Sequence, residues 1–143
     1  MKNIFTVITF ILLFMFPNVI FSESIESIAN PKCPLTENLV KPNLKDKKEL
    51  ISSLHKIIPK VYGADSDYKE WRIEKIEPAS SLTGFEKNYY GIAVTFCGKE
   101  VANYSWFVRL RFPKLLPAQS ASLGEIYIVK DRKNGWIPWF QYH

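Results

Sequence analysis

Two arginines at alternate positions of the longest strand signal are the residues best placed to do chemistry. In the run from Asn103 to Phe112, Tyr104, Trp106, Val108, Leu110 and Phe112 take every second position, and Ser105, Phe107, Arg109 and Arg111 take the other parity. That is the period of a half-buried strand. Strand rise sets Arg109 and Arg111 about 7 Å apart on one face. Two forked guanidinium groups at that separation can hold a carboxylate, a phosphate or a sulfate. The competing reading is a wet sheet face on which they pair with Glu100 or Glu125. A second cluster closes the chain, with Trp136, Trp139, Phe140 and Tyr142. If this segment is a strand, half of its aromatics turn away from the core, which adds Trp136 and Trp139 to Arg109 and Arg111 as the expected ligand-binding residues.

Groups that would specify a reaction are missing from the sequence. There is no G-x-S-x-G, no glycine-rich phosphate loop, no H-E-x-x-H and no internal repeat, so no catalytic residue is assigned. His55 stands beside Lys56 on a helical pattern with no nucleophile or orienting group to work with. The acidic pairs Asp65 with Asp67 and Glu74 with Glu77 read as solvated loop or strand-edge carboxylates. Cys33, His55, Cys97 and His143 lack the spacing of zinc ligands. Neither a metal nor another cofactor is expected.

The elements that position these residues begin after an export signal. Lys2 is followed by an apolar run from Ile4 to Phe16 and a small residue at Ser22, the three regions of a secretory signal peptide spanning 1–22. The run is short for a membrane span, so no stable anchor is expected once it is removed. Cleavage leaves roughly 120 residues, enough for one domain. It also takes one charge from a formal net of +5, a mild basicity that suits an anionic partner and, without a nucleic-acid signature, does not point to nucleic acid. In an oxidising compartment Cys33 and Cys97 are expected to form a disulfide. The protein is therefore read as secreted, either extracellular or periplasmic.

Residues 23–42 are polar and interrupted by Pro31, Pro34 and Pro42, an extended arm anchored through Cys33. The domain proper is 43–143. Asn43 caps a helix whose apolar stripe is Leu50, Ile51, Leu54, Ile57 and Ile58, with Pro59 and Gly63 stopping it and lysines 45, 48 and 56 on its outer face. Lys69 to Glu77 reads as a strand with Trp71 and Ile73 on one side. Tyr89 to Cys97 reads as another, from the alternation of Tyr90, Ile92, Val94 and Phe96 against Gly91, Ala93 and Thr95, with Gly98 and Lys99 turning it back onto the strand that carries the arginines. Glu125 to Lys130 and Trp136 to Gln141 form a last hairpin around Asn134-Gly135, and Pro138 puts the final strand at an edge. The expected fold is α+β, one amphipathic helix packed on a curved antiparallel sheet of about five strands.

From about Asn43 to Trp139 this order resembles the cystatin-like and NTF2-like α+β folds. The closing strand, turn and Gly135-Trp136-Ile137-Pro138-Trp139 is similar to the end of many small NTF2-like domains. The resemblance implies a pocket between helix and sheet, which in such folds can work with one carboxylate and aromatic walls. With no nucleophile, metal or tuned acid and base pair in view, the sequence points first to an exported binding or interaction domain for an unknown protein or an anionic envelope ligand. An exported enzyme using that pocket is the alternative.

Overall fold

The first helix starts where a side chain can satisfy a free amide. In the computed structural model, which describes residues 31–142, Asn43 accepts a hydrogen bond from the Lys45 N–H at 3.0 Å. A single 3-10 turn, Leu44–Asp46, then leads into α1, Lys47–Tyr62. Leu50, Leu54, Ile57, Ile58 and Val61 form its buried stripe, as the spacing requires. Pro59 does not end it. The proline lies inside the last turn on the exposed side, and the helix stops at Gly63, whose φ of 85° suits a residue without a Cβ.

Five strands make one antiparallel sheet: β1, Leu39–Val40; β2, Arg72–Pro78; β3, Ser105–Arg111; β4, Leu123–Asp131; and β5, Gly135–Gln141. β4 pairs with β5 along one edge, and along its other edge with β3 and then, beyond Val129, with the short β1. β2 closes the far side against β3. The strand carrying the arginines is thus central. Bulges between Ile73 and Lys75 and between Tyr127 and Ile128 add local bend and twist, and the sheet is strongly curled.

A second helix replaces an expected strand. Residues Tyr89 to Cys97 belong to α2, Lys87–Tyr104, so they neither pair with β3 nor form a hairpin with it, and the described residues hold two α-helices instead of one. The period-two reading needed Tyr90, Ile92, Val94 and Phe96 on one buried face, but Phe96 is 45% exposed. The buried side instead runs through Tyr89, Ala93 and Cys97, at i, i+4 and i+8. Ala93 is fully buried, Tyr89 stacks on Phe107 at 4.7 Å, and Thr95 on the outer side bonds back to the Gly91 carbonyl. The turn expected at Gly98 is a break within α2, at φ 80°.

The two helices lie on opposite faces of the sheet. Trp106, Val108, Leu110 and Phe112 meet Leu50, Leu54 and Ile58 in the α1 core. Phe107, Tyr127, Val129, Trp139 and Phe140 meet Ala93, Val101 and Ala102 in the α2 core. β3 is therefore buried on both faces from Ser105 to Val108, and Arg109 and Arg111 emerge on the α2 face where its cover runs out. Gly124 lets α1 approach the sheet, since a Cβ there would run into the Tyr62 ring, with Cζ at 2.7 Å.

Candidate functional site

Arg109 and Arg111 share a face, and both are occupied. Arg109 Nε donates to Glu125 Oε1 at 2.9 Å and its Nη1 to Glu86 Oε1 at 3.0 Å, while Tyr89 and Phe107 lie against its guanidinium carbon at 4.9 and 5.4 Å. Cross-strand register sets Lys75, Arg109 and Glu125 in a row, and Glu86, from the turn before α2, bridges Lys75 and Arg109. Hydrogen bonding to Lys75, and then to Arg109, holds the Glu86 carboxyl below the ordinary carboxylate range. Glu125 is 2% exposed, and its second oxygen has no hydrogen-bond partner among the described residues. Burial, reinforced by this carboxylate, pushes the Tyr89 hydroxyl up. Arg111 Nε reaches Glu74 at 2.8 Å and its Nη1 reaches Ser122 Oγ at 3.2 Å. An incoming anion would have to displace these partners.

The two tryptophans are placed unequally. Trp139 is 1% exposed and donates its indole N–H to Ser105 Oγ at 3.0 Å, which in turn donates to the Val101 carbonyl. Ile128 pairs with Pro138 and Tyr127 with Phe140, so Trp139 is the extra residue of a bulge that sends both it and Phe140 into the α2 core. Trp136 is half-buried against the α1 core, donates to Glu49 Oε1 at 3.1 Å and carries Lys130 at 5.3 Å from its ring centroid. It joins β5 to the start of α1. Phe96 and Tyr142 reach solvent on the α2 side, on either side of Phe140, as does Phe85 in the turn before α2.

Cys33 and Cys97 form the disulfide read from the sequence. It ties the segment before β1 to α2 at the Gly98 break instead of to the sheet. The segment 1–22, expected to be a signal peptide, and His143 lie outside the described residues. Among the described residues no three His, Cys, Asp or Glu side chains gather to hold a metal, and no helix is long and apolar enough to cross a membrane.

Uncompensated positive charge collects elsewhere, at a cleft of about 680 Å³ lined by His55 of α1, by Lys69, Glu70, Trp71 and Arg72 at the entry to β2, and by Pro113 after β3. Trp71 is half-buried against the α1 core, with its ring centroid 4.9 Å from that of His55. Its indole N–H has no acceptor among the described residues. Glu70 is engaged by Lys114 at 3.2 Å. Among the described residues Lys69 and Arg72 meet no carboxylate, and Arg72 lies directly across the register from Arg111. The lining therefore offers hydrogen-bond donors and positive charge, while its one carboxylate is taken. In the sequence Trp71 reads only as a strand residue. The run Lys69-Glu70-Trp71-Arg72 just after the turn Ser66–Tyr68 was the available signal, but the part played by His55 depends on the packing of α1 over β2.

No family model, curated protein or solved structure matches this chain.

Proposed function

We propose that this chain is an exported, non-enzymatic binding domain that takes an anionic, acceptor-rich ligand in the cleft formed by His55, Lys69, Trp71 and Arg72. The observation that carries the reading is the imbalance of that cleft, in which Lys69, Arg72 and the Trp71 indole are free to donate and Glu70 is held by Lys114. Charge-assisted hydrogen bonds from Lys and Arg to phosphate, sulfate or carboxylate are the strong ones, and more so beside a half-buried ring that excludes water. Arg109 and Arg111, the pair first expected to bind, are engaged by Glu125, Glu86 and Glu74, and the reading gives them a role in the fold.

Isothermal titration with tripolyphosphate tests this. Binding should be saturable, weakened about tenfold or more in K69A/R72A, weakened in W71A, and unchanged in R109K/R111K. Loss of binding in R109K/R111K with K69A/R72A unaffected would return the site to the paired arginines.

The enzyme reading has one observation in its favour, the buried Glu125 carboxylate with an unpartnered oxygen near the Tyr89 hydroxyl. Its other oxygen is committed to Arg109, so the binding reading ranks first.

A further inference from the structure

We infer that the ligand of the cleft is a linear polyanion of the polyphosphate class, charged at every repeat, which runs from the cleft along the outer face of α1 past Lys48. This rests on the cleft reading and extends it. Lys48, Ser52 and His55 follow one another at i, i+4 and i+7, all exposed, on the side of α1 away from its buried stripe. Lys48 is thereby set about 10 Å from His55 along the helix axis, with Lys45 exposed on the turn before it.

What makes this face uncompensated is the fate of the nearby acids. Asp46 and Glu49 are both drawn to Lys130 of β4, at 3.2 and 2.7 Å, and Glu49 also accepts from Trp136. Both carboxylates are turned to the sheet, where Lys130 balances one of their two charges, and Lys45 and Lys48 have no carboxylate within ion-pair distance among the described residues. A single small anion would use the cleft and leave these lysines idle. A chain with repeated charges would meet them in succession, with Ser52 as the small step between.

The same geometry argues against a bilayer. Peripheral helices enter lipid through an apolar face, and that of α1 is consumed by the core. Leu44 is exposed beside it, and one leucine makes no such face.

The test is a titration series at fixed ionic strength with tripolyphosphate, medium-chain and long-chain inorganic polyphosphate, on the wild-type chain and on K45A/K48A. Affinity should rise at least tenfold from tripolyphosphate to the medium chain, with a steeper salt dependence. K45A/K48A should lose most of that gain while keeping its tripolyphosphate affinity within about twofold and its melting temperature unchanged. A gain that is absent, or that survives in K45A/K48A, overturns the inference and leaves the cleft standing. Tighter binding to vesicles rich in anionic lipid, or to a single-stranded oligonucleotide of matched charge, overturns it in favour of those partners. Failure of tripolyphosphate itself to bind overturns the cleft reading and this extension together.

Discussion

Arg109 and Arg111 are two residues apart on one strand, and replacing each with leucine should have very different costs. Glu125 and Arg109 have side chains 3% and 18% exposed, whereas Glu74 and Arg111 are 36% and 27% exposed. Removing one partner of a buried pair leaves an uncompensated charge and costs about 3 to 5 kcal/mol. Arg109 is not wholly enclosed, so R109L should fall at about 3 kcal/mol, the lower end of that range. An exposed pair is worth about 1 kcal/mol or less, which sets the expectation for R111L. Urea unfolding at neutral pH reads both from the midpoint and slope. Because exchanging both members of a buried pair for apolar residues is often neutral, R109L/E125L should recover most of the R109L loss, and the double-mutant cycle should show coupling. Equal costs for R109L and R111L, or a double variant no more stable than R109L, would refute the assignment of Arg109 to the fold.

Removing the Cys33–Cys97 bridge, which spans 64 residues, should destabilise the chain by about 4 kcal/mol on the chain-entropy estimate. Unfolding of C33A/C97A against the oxidised wild type measures it, and a difference under about 1 kcal/mol would mean the terminal segment is held by other contacts. Glu86 has its carboxyl lowered in the folded state, so its contribution to stability is present above the unfolded value of 4.5 and is lost as pH falls through the folded value. E86Q should therefore be less stable than wild type at pH 7, with the gap closing in acid below that range. A gap that widens on acidification would contradict the Lys75 and Arg109 contacts.

The sequence was most legible where one period dominated. The α1 stripe from Leu50 to Ile58 and the hairpin around Asn134-Gly135 appear nearly as read, as does the edge position of the strand carrying Pro138. Residues 89–97 carried two periods at once, and tertiary packing chose the helical one. Ala93 is small enough to lie against the sheet, Tyr89 finds Phe107, and Phe96 tolerates exposure beside Phe140. That choice also hid the fate of the arginines. They fall on one face as expected, but Glu86 reaches Arg109 only because the chain turns into α2 over the sheet, and Glu74 reaches Arg111 through the pairing of β2 with β3, which one strand's sequence does not show. Alternation likewise could not show that Trp139 turns inward, since a bulge shifts the parity at that residue. The cleft is assembled from α1, the entry to β2 and the exit of β3, so its residues never appear together in the sequence.

The most direct test of the account is nuclear magnetic resonance of the ¹⁵N-labelled protein titrated with tripolyphosphate. The Trp71 indole N–H and the Lys69 and Arg72 amides should move together and saturate with one affinity, while the Trp136 indole and the Arg109 Nε–H stay in place. An unmoved Trp71 indole, with saturable shifts at Arg109 and Arg111 instead, would contradict it.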